Sequence, residues 1–173
     1  SNSGQATMTI PLSSILTGID IRNTRMQSML FESNYLPNLH FTTQLDLAAL
    51  DAMAAGSTST LSLSGSLILH GVVKPLTFDA LVIKHADNSV SFSPRKPIVI
   101  NSTDFDLNAG IELLRVTAGA TTIGEKVPVY FKMFLTKDNP TNLPAISLAP
   151  VPNTPLNLMG SVSQVSGNAT LNW

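Results

Sequence analysis

Residues 58–70 read TSTLSLSGSLILH. Leu61, Leu63, Leu67 and Leu69 fall on one side of an extended chain, and Ser62, Ser64 and Ser66 fall on the other. That two-residue period is the mark of a strand with one apolar and one wet face, and it predicts a strand over Ser59–His70. A turn around Gly71–Pro75 leads into a second alternating run, Leu76, Phe78, Ala80 and Val82, with Thr77 and Asp79 opposite. The two runs together predict an antiparallel hairpin packed on one side and solvated on the other. Outward from the hairpin the same period recurs in Ala6, Met8, Ile10 and Leu12, with Pro11 marking an edge or a bulge. It recurs again in Leu39, Phe41, Thr43, Leu45 and Leu47, over Ile98–Leu107, and in Val127, Val129, Phe131, Met133 and Leu135 of Lys126–Thr136.

Two segments depart from that period. In Ile21–Phe31, the residues Ile21, Met26, Met29 and Leu30 approximate a helical stripe, with Asp20 as the expected N-cap. Asp46–Gly56 is rich in Ala and Leu and reads as a helical turn or a loop excursion. Asp87-Asn88-Ser89 and Ser93-Pro94-Arg95 mark turns, and no internal repeat is present. From Asp138 the composition changes. Pro140, Pro144, Pro150, Pro152 and Pro155 favour an extended, semi-rigid linker. The expected organisation is a mainly β domain over residues 5–137, a linker over 138–155 and the start of a second β domain over 156–173.

Composition narrows the function. Of the 173 residues, 43% are hydrophobic and 12% charged, against a usual charged share of about a quarter. A net charge of −1 gives no electrostatic footprint for nucleic acid. The chain has no cysteine, which excludes a disulfide framework, a thiolate metal site and a Cys nucleophile. No run reaches the roughly 18 apolar residues of a membrane-spanning helix.

Candidate chemistry is sparse. His40, His70 and His85 sit on different elements without the short spacing of a zinc site, so strand-end histidines are the plainer reading. Asp104 and Asp106 flank Phe105 on the expected strand 98–107 and would face one side; solvation or loop amides account for them better than acid–base work. Ser62, Ser64 and Ser66 lack a nucleophile elbow and a partner base. No catalytic residue, metal site or cofactor loop is expected, and the chain is not read as an enzyme.

Several motifs occur in an order that resembles the YceI-like family. The most specific is Ser64–Phe78, SGSLILHGVVKPLTF. With it come Ile15-Leu16-Thr17-Gly18 followed by Arg22, Asn23 and Arg25; Met29-Leu30-Phe31-Glu32; and Tyr35-Leu36-Pro37-Asn38-Leu39-His40-Phe41. Thr103–Leu107 and Gly124–Val127 complete the set, so the resemblance spans about Gln5 to Thr136. Asn23 stands where the family has an acidic residue, Gln27 where Leu or Arg is common, and the family's first two strands have no counterpart before Gln5. The resemblance implies an antiparallel, lipocalin-like barrel with an open seam and an apolar tunnel for polyisoprenoid, isoprenoid-quinone or fatty-acyl ligands. It also implies a periplasmic or cell-surface location and a possible homodimer. The tail, Pro152–Leu158 with Gly167–Trp173, is similar to the opening strands of a fibronectin type III domain.

On this reading the tunnel is lined by Met8, Ile10, Leu12, Phe41, Leu61, Leu63, Leu67, Leu69, Leu76, Phe78, Val129, Phe131 and Met133. Arg22 and Arg25 are candidate head-group contacts. Periodicity alone does not separate a tunnel from a filled core. A structural or adhesive module of a multidomain surface protein, its core filled with side chains, is therefore the alternative.

Overall fold

The computed structural model describes residues 3–135 and the short segments 163–165 and 168–172. Strand β1 (Ser3–Pro11) runs into a 3-10 turn, Leu12–Ser14. Helix α1 (Asp20–Arg25) continues as a π-helical turn over Met26–Leu30. Then come β2 (Asn38–Asp46), α2 (Leu47–Asp51), β3 (Thr58–Leu69), β4 (Val72–Lys84), β5 (Val90–Pro94) and β6 (Ile98–Asn101). A 3-10 turn, Ser102–Phe105, leads to α3 (Asn108–Ala118). Strands β7 (Lys126–Phe131), β8 (Met133–Leu135), β9 (Ser163–Val165) and β10 (Asn168–Asn172) complete the set.

Six strands, in the order β1-β2-β3-β4-β5-β8, curl into a nearly closed antiparallel barrel, and β10 adds to the outer edge of β1. A second sheet, β6-β7-β9, lies beside it. Alternation governs burial as expected. Ala6, Met8 and Ile10 of β1, Phe41 and Leu45 of β2, and Leu63, Leu67 and Leu69 of β3 join one interior cluster, while Ser62, Ser64 and Ser66 are exposed. Register places Leu63 opposite Phe78 and Leu61 opposite Ala80. Gly65 fills a tight place: a Cβ there would lie 2.2 Å from the Thr42 carbonyl oxygen and 2.9 Å from the Phe41 ring. Only a residue without a side chain lets β3 approach β2 that closely.

Four local expectations are corrected. The hairpin turn is His70-Gly71, and β4 already starts at Val72. Both turn residues have positive φ, 52° and 75°, as the tight turns that match strand twist require. Pro75 lies inside β4, where the edge away from β3 has no ladder partner among the described residues; proline's missing N–H is tolerated there. The expected strand 98–107 ends at Asn101, because Ser102 and Asn108 offer local hydrogen-bond partners that compete with a ladder. Ser102 Oγ bonds Asn108 Oδ1 at 3.3 Å, and Asp106 turns left-handed at φ 55°. Asp104 and Asp106 therefore do not share a strand face. The strand expected over 126–136 is broken at Lys132, with β7 in the second sheet and β8 in the barrel.

Asp20 is not a cap. Ile19 holds that position without a side-chain bond, and Asp20 sits in the first turn, where a carboxylate favours the helix dipole. The excursion at Asp46 is the short helix α2, capped by Asp46, whose Oδ1 accepts from the Ala49 N–H at 3.1 Å. Helix α3 had no counterpart among the expected elements. The fibronectin type III resemblance of the tail is not borne out, since β10 pairs antiparallel with β1 and β9 parallel with β7. The proline-rich stretch 138–155 lies outside the described residues.

Candidate functional site

The interior of the barrel is where the expected lining residues meet. Met8, Ile10, Leu12, Phe41, Leu63, Leu67, Leu69, Phe131 and Met133 are buried in one apolar cluster, and Leu61, Leu76 and Phe78 pack against it half-buried. Phe78 links two sheets. Its ring centroid is 5.7 Å from that of Phe41 and 5.6 Å from that of Phe131, the latter edge-on, a favoured aromatic geometry. Val129 is placed differently: it is half-buried in the second sheet, opposite Ile98. Phe92, Ala80 and Val82, which the sequence reading left off the lining, are completely buried.

Burial along β4 is uneven, and its pairing explains why. Strand β5 pairs with Ala80–Lys84 alone. The first half of β4, Val72 to Asp79, has β3 on one side and no ladder partner on the other among the described residues. In that half the interior-facing Val72, Leu76 and Phe78 are half-buried. The barrel is thus sealed where β4 meets β5 and accessible along the first half of β4, beside β7 and the 3-10 turn Ser102–Phe105.

Helical segments cover the rim nearest that accessible half. Helix α3 sits on the π-helical turn so closely that a Cβ on Gly110 would lie 2.7 Å from Met29 O and 2.8 Å from Leu30 Cα. His70, at the tip of the β3–β4 hairpin, ties this layer down. Its Nε2 lies 3.1 Å from Glu32 Oε2 and its Nδ1 3.3 Å from the Phe105 carbonyl. Glu32 itself has φ 47°. Two non-glycine residues in the left-handed region thus hold each other across the rim. Arg22 and Arg25 lie on α1 in the same layer, half-buried; the Arg25 guanidinium donates to the Thr117 carbonyl at 3.5 Å. The opposite rim carries α2 and the end of β4, where Lys84 is buried.

Several of the remaining polar groups are occupied locally. His40 Nδ1 meets Thr9 Oγ1 at 3.0 Å and His85 Nε2 meets Ser91 Oγ at 2.8 Å, so the three histidines stay on separate elements. No three His, Asp or Glu side chains converge among the described residues. Hydrogen bonds from the Ser89 hydroxyl and backbone hold the Asp87 carboxyl below its ordinary value. The bidentate bond from Arg115 does the same for Glu112. That pair borders a hollow of about 210 Å³ between α3 and Thr121–Glu125. It is smaller than the roughly 300 Å³ at which small-molecule sites begin, and an ion pair occupies its wall. No helix among the described residues is long and apolar enough to cross a membrane.

Comparison with known proteins agrees with this geometry. The sequence matches the YceI-like domain over residues 1–135. A polyisoprenoid-binding domain from Saccharophagus degradans, implicated in plant cell wall breakdown, is 34% identical with a TM-score of 0.70, covering 73% of this chain and 72% of that one. The Campylobacter jejuni YceI protein is 18% identical with a TM-score of 0.54, covering 77% and 72%, which speaks for the fold alone. No curated protein matches.

Proposed function

Because the chain belongs to the YceI-like domain family, we propose that it binds and carries or sequesters a hydrophobic chain, such as a polyisoprenoid, an isoprenoid quinone or a fatty-acyl lipid, inside the barrel. The observation that supports this most is the accessible apolar half of β4. Val72, Leu76 and Phe78 point inward yet stay half-buried, whereas residues at the same depth in a filled core reach the near-zero exposure of Val82 and Phe92. The lining runs from there past Phe41, Leu63 and Leu67 to Met8 and Met133. Each methylene laid against such a surface contributes about 0.8 kcal/mol gross, much of it offset by ordering the ligand. Lipids differing by one methylene are then poorly discriminated. The domain that is 34% identical is a polyisoprenoid-binding domain, and the ligand class proposed here follows from that likeness. The reading involves no bond making or breaking, and it goes with an exported, periplasmic or cell-surface protein.

One observation favours the alternative of a filled structural core: the contact chain Phe41–Phe78–Phe131 crosses the interior. Native mass spectrometry separates the two. The protein, as purified and after incubation with a polyprenol, an isoprenoid quinone or a fatty acid, is expected to release a lipid adduct. Phe78→Asp, which places a charge in the accessible half, is expected to abolish the adduct. A folded protein without any adduct would make the structural module the leading reading.

A further inference from the structure

We propose that Lys84 is an anchor for the anionic head of the ligand, a carboxylate or a phosphate, at the barrel end opposite the accessible half of β4. The proposal rests on the carrier reading above and adds to it an orientation and a ligand class. Alternation puts Lys84 on the inward face of β4, two and four residues beyond Val82 and Ala80, neither of which has exposed surface. Lys84 is itself only 5% exposed. Lysines are almost never that buried unless something pairs the charge or the stem alone is covered. Yet the ion pairs among the described residues are His70–Glu32 and Arg115–Glu112, and no other described residue forms a hydrogen bond with the Lys84 side chain.

The carboxylates on the elements packed around this rim are committed elsewhere. Asp46 caps α2 through the Ala49 N–H. Asp87 Oδ1 accepts from the Ser89 N–H at 2.9 Å and from its hydroxyl at 2.6 Å. Asp51 is engaged as well, and His85 bonds Ser91. The one fully dry, unpartnered side-chain polar atom among the described residues is Asn101 Oδ1. The Lys84 ammonium therefore keeps contact with solvent, and a ligand group can reach it. Ser57, whose carbonyl accepts the Lys84 N–H at 3.0 Å, and Ser59, opposite Val82, share the face of Lys84 by alternation and offer two hydroxyl donors. The arrangement is one cation without an ionic partner among the described residues, with neutral donors beside it, at the end of an apolar wall. A charge-assisted hydrogen bond to an anion would pair this ammonium, while the aliphatic stem stays packed against the wall. From Lys84 back to Leu76 the strand spans about 26 Å. A head fixed at Lys84 would thus send its tail to the accessible half only as the packing of Ala80, Val82 and Phe92 opens to admit it.

The test uses the full chain and matched lipids, palmitate against hexadecanol and a polyprenyl phosphate against the polyprenol, in a fluorescent-lipid displacement assay. The wild type is expected to hold each anion about tenfold more tightly than its neutral partner, a difference of about 1.4 kcal/mol. Lys84→Met is expected to lose that preference while holding the neutral lipids unchanged, and Lys84→Arg to restore it. Equal affinity of the wild type for palmitate and hexadecanol would overturn the anchor and leave the carrier standing. So would loss of the preference in Arg22→Gln or Arg25→Gln with Lys84→Met unaffected. Binding of inorganic phosphate alone, lost in Lys84→Met, without any preference among lipids would mean a free-anion site and overturn the head-group assignment. Failure of all four lipids to bind folded wild type would sink the carrier reading and this proposal with it.

Discussion

Single residues decide how closely the strands and the rim pack. Gly65 is the sharpest case. A methyl group there meets the Thr42 carbonyl oxygen at 2.2 Å and the Phe41 ring at 2.9 Å. The backbone contact cannot be relieved by a rotamer, so β2 and β3 would have to separate at the centre of the barrel. Gly65→Ala is expected to cost about 1–3 kcal/mol, the range of overpacked cores, read as a lower urea midpoint at unchanged slope. An unchanged midpoint would show that β2 and β3 do not approach as described. The apolar positions around Gly65 were legible in the sequence: Leu63, Leu67 and Leu69 face in because a period of two leaves no other side for them. The role of His70 was not. Its positive φ is invisible to periodicity, and its partner Glu32 lies 38 positions away in sequence, so a residue read as a plain strand-end histidine proves to hold the rim together. Lys84 was hidden for a related reason: a charged residue at a strand end reads as exposed unless the cover supplied by other elements is known.

Elements failed or succeeded according to whether their pattern had an imitator. Hairpin β3–β4 has none, and the reading placed it to within a few residues. Asp104-Phe105-Asp106-Leu107 alternates as a strand does, yet both apolar residues are anchors of an irregular segment: Phe105 and Leu107 are buried from a 3-10 turn and a left-handed step. The break at Lys132 was invisible because Val129, Phe131, Met133 and Leu135 keep one parity across it. Helix α3 carried a signal that was passed over, namely Leu107, Ile111 and Leu114 at helical spacing and Gly119 as a left-handed stop with φ 63°. This helix matters because its Gly110 lets it rest on the backbone of Met29 and Leu30. Gly110→Ala puts a methyl group within 2.8 Å of both residues and is expected to lift the helical layer while sparing the barrel. Hydrogen exchange should quicken over Met26–Leu30 and stay unchanged over β3 and β4. Uniform acceleration would mean that the layer and the barrel open as one unit.

At the scale of the whole molecule, the barrel depends on how its seam is closed. The resemblance predicted an open seam with unpaired edges, a recognised route to aggregation. β10 instead lies along that edge, with Gln5 opposite Asn172 and Thr9 opposite Asn168, and it also approaches β8. Such a pairing joins segments some 160 positions apart and could not be read from local pattern. It also carries a large loop-closure cost, which grows only slowly with the length of the intervening chain. Five residue pairs are a short ladder to hold against that cost, so β10 is expected to be the first strand to leave. Removing residues 163–173 tests this directly. The truncated chain should keep its hairpin, with exchange over β3 and β4 unaltered, while alternate amides of Gln5–Thr9 lose protection and the bare β1 edge draws copies together in concentration-dependent oligomers. If β1 amides stay protected and the protein stays monomeric, something other than β10 covers that edge. A monomer with unprotected β1 amides would instead mean that the strand's own twist is enough to keep neighbours away.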